Sequence, residues 1–176
     1  MPDPWKGILA GAAGGVGATI AMSAFQTLWT YVDRRVHMGK ASDSDEEPAT
    51  VKAIERLSEG FFGYELDERQ KGLAGTAFRF GFGTAAGALY GAVAEFSPAI
   101  ARGHGVPFAT GLMAVSDEVP VPALGLFRSP PKKSMSLQLY ELSSHVVFGL
   151  VLETTRRAVR RALETQRKGA SHERQV

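Results

Sequence analysis

The sequence contains no cysteine, which excludes disulfides, zinc–thiolate centres and thiol catalysis. Its four histidines are scattered, without metal-finger spacing, and no metal site or cofactor is expected. No nucleophile elbow, phosphate loop or dinucleotide fingerprint occurs, and Gly11, Gly14 and Gly15 open no strand–turn–helix unit. Without a catalytic motif, an enzyme is the least supported class. Net charge is only +2, so the basic face that nucleic acid requires is also missing. Charge of either sign is absent from Gly7 to Val32.

That uncharged run is longer than the roughly 20 apolar residues that span a bilayer. Trp5 lies at one end of it and Trp29 and Tyr31 at the other, as in an aromatic belt. A secretory signal with Ala21-Met22-Ser23 as its cleavage site is the rival reading. Asp3, a single leading Lys and the length of the run speak against it. Three further apolar segments follow: Leu73–Phe96, interrupted by Arg79; Val106–Phe127; and Leu137–Thr155, which continues as a basic amphipathic stretch to about Arg167. We therefore expect an all-α chain, a small multi-pass membrane helical bundle. Residues 1–167 form its single domain, 33–72 a polar loop and 168–176 a disordered tail. Within the loop, Asp43, Asp45, Glu46 and Glu47 read as a solvated linker. Thr50 can cap a short surface helix with Val51, Ile54, Leu57 and Phe61 near one face.

Glycines recur every four residues in the first two segments, at Gly7, Gly11 and Gly15 and at Gly83, Gly87 and Gly91. In a water-exposed helix each would cost about 1 kcal/mol relative to alanine. In lipid the same spacing makes a groove that lets two backbones approach and gain van der Waals contact. These six are read as packing faces, turned to each other before any homo-oligomeric partner.

Asp117 and Glu118 interrupt the third apolar segment, with Pro120 and Pro122 after them. Each acid at a helix centre costs roughly 2.5–3.5 kcal/mol on insertion. A residue before proline avoids helical geometry, so Val119 and Val121 should be extended. The segment then reads as a half-helix from Val106 to about Ser116, a break, and a return through Leu124–Phe127. Such a break is tolerated only against protein or a water-filled cavity. Basic residues count toward the same reading. Four full crossings split them nine to ten, whereas three crossings with a re-entrant third segment split them fourteen to five, the N-terminus outside. Three crossings are favoured, with four as the alternative.

Ionisable groups in membrane segments are rare and usually pair or face a cavity. Here they are Arg79, Glu95, Asp117, Glu118, Glu141, His145 and Glu153. Glu141 and His145 are four apart and share a helix face. In one reading Arg79 pairs with an acid, and Glu141 and His145 bond each other or backbone groups as glue between helices. In a second, Asp117, Glu118, Glu141 and His145 surround a proton or cation path, since histidine titrates near neutrality. A third, metal binding or hydrolysis, lacks a second His or a Glu-x-x-His repeat. The first is preferred. Beyond them Arg156, Arg157, Arg160 and Arg161 form a basic stripe, read as an anchor to anionic headgroups.

The motif Leu89-Tyr90-Gly91-Ala92-Val93-Ala94-Glu95 with Pro98 resembles the end of the second membrane helix in the YagU-like bacterial inner-membrane proteins. So do Pro122-Ala-Leu-Gly-Leu126 with Pro130-Pro131, and Glu141, His145 and Glu153 before Arg156-Arg157. The resemblance covers about Thr76 to Arg161. It implies a helical, multi-pass protein of the bacterial inner membrane with no established activity, and it supplies no catalytic residues. Asp117-Glu118 and Arg79 depart from that pattern. The function expected is a structural or accessory role in the bilayer, with the acid/histidine group as a proton- or cation-handling option. An accessory subunit packing within a larger membrane complex is the alternative.

Overall fold

The computed structural model describes residues 3–36, 68–118 and 135–173. The acidic linker, the helix expected after Thr50 and the proline break at Pro120 and Pro122 lie outside the described residues. Within them the chain is all-helical, without a strand: α1 (Pro4–Val36), α2 (Glu68–Phe96), the short α3 (Pro98–Ala101), α4 (Val106–Glu118) and α5 (Met135–Glu173). Two stretches are long and apolar enough to cross a membrane, Pro4–Val36 and Met135–Gln166.

Asp3 starts α1. Its carboxylate accepts the Lys6 amide, and Pro4 takes the first helical position, where no N–H is needed. Arg34 and Arg35 fall in the last turn, where the carbonyl end of the helix favours cations. Between these ends the helix is held to its neighbours by absent side chains. A Cβ placed on Gly11, Gly15, Gly87 or Gly91 would overlap a backbone oxygen of the facing helix, Gly11 meeting Gly87 and Gly15 meeting Gly83. Gly7 lies opposite Gly91, where an added Cβ would come within 2.6 Å of the carbonyl oxygen. The two glycine stripes thus face each other, antiparallel, with backbone on backbone. Gly14 gives α1 a second close approach, to Leu152 of α5. Gly105 and Gly149 make a third, between the start of α4 and α5. Gly105 also has φ of 78°, and His104 before it has φ of 51°, so this tight turn needs left-handed backbone.

The contacts fix the direction of each helix. Asp3 and Glu95 meet at one end, called the near end here. At the far end Trp29 of α1 packs on Tyr140 of α5, ring centroids 5.9 Å apart. So α1 runs near to far, α2 returns, and α5 starts far and ends near. Helix α4 begins at the near end, beside Gly149, and lies antiparallel to α5. A third segment that returned to its starting face would place Tyr140 beside Glu95, whereas it lies beside Trp29. Two further boundaries shift. Helix α4 continues through Asp117 and Glu118, and the tail expected to be disordered is helical as far as Glu173.

The distribution of side chains is inverted relative to a water-soluble bundle. The interior holds Ala10, Ala18, Ala86, Ala94 and Ala109, with Thr19, Ser144, Glu153 and Arg156 among them. Among the described residues, only Tyr90, Phe148 and Leu152 are large apolar core residues. Meanwhile Leu9, Ile20, Leu28, Phe78, Phe82 and Leu89 face outward. Hydroxyls are satisfied without solvent, since Thr19, Ser23, Thr84 and Ser144 each donate to the carbonyl four residues earlier.

Candidate functional site

The main concentration of buried charge is at the near end, where α1 begins, α2 ends and α5 passes. Glu153 is 1% exposed. It survives burial because α5 carries arginines three and four residues later, on the same face. Arg156 donates to both oxygens, Nε to Oε2 at 2.7 Å and Nη2 to Oε1 at 2.9 Å. Arg157 Nε donates to Oε1, and its Nη2 reaches the Ala101 carbonyl at 2.9 Å, tying α5 to the end of α3.

One turn on, Arg160 makes a second fork. Its Nε and Nη2 donate to Glu95 at 2.7 and 3.1 Å, joining α5 to the last turn of α2. Its Nη1 holds Glu164 at 2.7 Å. Glu95 also accepts the Asp3 amide at 3.2 Å, and Lys6 Nζ lies 3.4 Å from the Asp3 carboxylate. Burial alone would raise the Asp3 carboxyl, but the Lys6 amide and ammonium outweigh it and hold it below the usual carboxylate range. Asp3, Glu95, Glu153 and Glu164 thus meet Lys6, Arg156, Arg157 and Arg160, and the network is electrically closed.

Tyr90 lines this network from α2. The Arg156 guanidinium lies 5.8 Å from its ring centroid, and Phe108 of α4 packs on it at 4.8 Å. Its hydroxyl is buried and directed toward Glu153, but it reaches no partner in good hydrogen-bond geometry. Tyr90 is a residue the sequence reading missed. Its only signal was a tyrosine among Gly and Ala on the face that carries Gly83 and Gly87.

The seven ionisable residues expected to form one cluster do not. Glu95 and Glu153 share the near-end network. Arg79 is at the other end of the glycine stripe, where its Nη1 lies 3.3 Å from Ser23 Oγ, and it meets no carboxylate among the described residues. His145 Nδ1 lies 2.9 Å from the Glu141 carbonyl oxygen, a hydrogen bond that the Nδ1-protonated ring donates. Asp117 and Glu118 occupy the last turn of α4. The headgroup stripe is corrected too. Arg156, Arg157 and Arg160 are turned inward onto carboxylates, and of the four only Arg161 is left exposed. Among the described residues no three His, Asp or Glu side chains converge as a bound metal ion would require.

What this arrangement does chemically is hold helices. The Arg160–Glu95 fork joins α5 to α2 and Arg157 reaches the Ala101 carbonyl, while the Glu153 pairs lie within α5 and keep these arginines in place. The chain matches no family model, no curated protein and no solved structure.

Proposed function

We propose that this chain is a four-pass helical membrane protein with a structural or accessory role. The observation that carries this reading is the inverted distribution: alanines, glycines and paired charges inside, and Leu9 (58% exposed), Leu28 (60%) and Leu89 (62%) outside. Water would penalise that surface, whereas lipid tails accept it.

The antiparallel order of α1, α2, α4 and α5 supports four crossings, with both termini on one side. Helix α4 has 13 residues, about 20 Å, so residues beyond Glu118 would have to complete its crossing. The charge count changes with it. Once Lys6, Arg156, Arg157 and Arg160 are counted as paired with carboxylates, the near side retains Arg102, Arg161, Arg167, Lys168 and Arg174, against ten basic residues on the far side. That bias favours a cytoplasmic far end and external termini. The resemblance described above would place the protein in a bacterial inner membrane.

A structural role is favoured over charge conduction because the buried carboxylates Glu95 and Glu153 are saturated by arginines. A second reading, an accessory subunit of a larger complex or a homo-oligomer, draws on α2. That helix packs mainly on α1, and its outer face bears the stacked pair Phe78 and Phe82, 6.1 Å apart. Accessibility labelling of single cysteines at Ser97, Ser129 and Ser171 tests the topology. Ser97 and Ser171 should label from one side and Ser129 from the other. Labelling of Ser97 and Ser129 from the same side would end the four-pass reading.

A further inference from the structure

The glycine stripes stop where Arg79 begins. Along α1 the successive facing positions are Gly7, Gly11, Gly15, Thr19 and Ser23, and along α2 they are Gly91, Gly87, Gly83 and Arg79. Where the next glycine would keep the backbones in contact, an arginine separates them. A groove of about 490 Å³ opens there, walled on its third side by Tyr140 of α5. It is lined by Ser23, Gln26, Thr27, Thr30, Tyr31, Arg34, Arg79 and Tyr140, and no acidic residue is among them.

We infer that this groove binds a phosphate ester, clamped between the guanidiniums of Arg34 and Arg79. At the near end each of Arg156, Arg157 and Arg160 meets a carboxylate, whereas neither Arg34 nor Arg79 meets one among the described residues. Two guanidinium forks without an internal anion suit the planar, multi-oxygen face of a phosphate. The volume is that of a small-molecule site, too large for an inorganic ion alone. The remaining lining fits a hydroxyl-bearing body on that phosphate. Ser23, Thr27 and Thr30 spend their protons on their own helix carbonyls, at 2.8 to 2.9 Å, and so present lone pairs to a ligand hydroxyl. Such a ligand is a glycerol or polyol phosphate, either free or as the headgroup of an anionic phospholipid. Only the lipid source rests on the membrane reading; the groove does not.

Trp29 reports on the site, since its ring lies against the lining residue Tyr140. In a Trp5→Phe background its fluorescence is titrated with glycerol 3-phosphate in detergent, and compared in phosphatidylglycerol and phosphatidylcholine nanodiscs. A saturable change should appear with glycerol 3-phosphate or phosphatidylglycerol and not with phosphatidylcholine. Arg79→Gln and Arg34→Gln should weaken it roughly tenfold or more, as loss of a charged hydrogen bond predicts, while Arg79→Lys, which keeps the charge but not the fork, restores it only in part. A response to the soluble ester identifies a free ligand, and a response confined to phosphatidylglycerol identifies a lipid headgroup. Equal titration of wild type and both Gln variants, or no saturable change with either ligand, overturns the site. Because Arg79 is exposed, unchanged circular dichroism in Arg79→Gln separates lost binding from lost fold. The soluble arm remains valid if the cysteine labelling contradicts four crossings.

Discussion

The two ends of the bundle use the same residue type for opposite purposes. At the near end three arginines are consumed by Glu95 and Glu153, and the helices are locked. At the far end Arg34 and Arg79 line an open groove. The difference is a carboxylate within reach: Glu153 on the same helix for Arg156 and Arg157, and Glu95 on α2 for Arg160. Arginine is therefore not diagnostic by itself of anchoring, pairing or binding, and its neighbours decide. Between the ends, glycine contact brings the backbones of α1 and α2 together and removes the space between them.

The contrast can be broken most severely at Glu153. Replacing it with Gln leaves Arg156 and Arg157 facing an uncharged amide in a buried site, and removing one partner of a buried pair costs about 3–5 kcal/mol. Chemical unfolding in detergent should show that loss, and a change below about 1 kcal/mol would mean the network is solvated. Next comes Gly87→Leu, whose side chain has only the Gly11 backbone to enter. Overpacking there should cost about 3 kcal/mol, measurable as a lowered midpoint of chemical unfolding in detergent. The smallest effects belong to open positions. Gly81 has nothing near a prospective Cβ, so Gly81→Ala should stabilise by up to about 1 kcal/mol through helix propensity alone. Arg79→Gln should change stability by less than about 0.5 kcal/mol, because its side chain is exposed and bridges no carboxylate.

The glycine faces were legible because a four-residue period maps directly onto one side of a helix. Helical class and the two long apolar stretches, in α1 and α5, were legible in the same way. The Glu153 lock was half legible. Its arginines stand three and four residues later, which is pairing distance on a helix, yet a basic stripe at a helix end fits a headgroup anchor equally well. The Glu95–Arg160 bridge was not legible, since 65 residues separate its members and no local spacing encodes it. The direction of α5 failed with it. A basic residue informs topology only when its charge is unneutralised, and sequence does not show which arginines have found a carboxylate.

The glycine stripes also have a property that concerns alignment. Both repeat every four residues, so sliding α2 along α1 by one repeat, about 6 Å, would again set glycine against glycine. A periodic seam of this kind confers closeness without confering a unique setting, as the teeth of a comb do. The choice among settings falls to the residues that interrupt the period: Arg79 against Ser23 at one extreme, and Glu95 against Asp3 and Arg160 at the other. Charges that look like anchors to the surroundings thus act as the stops of a vernier.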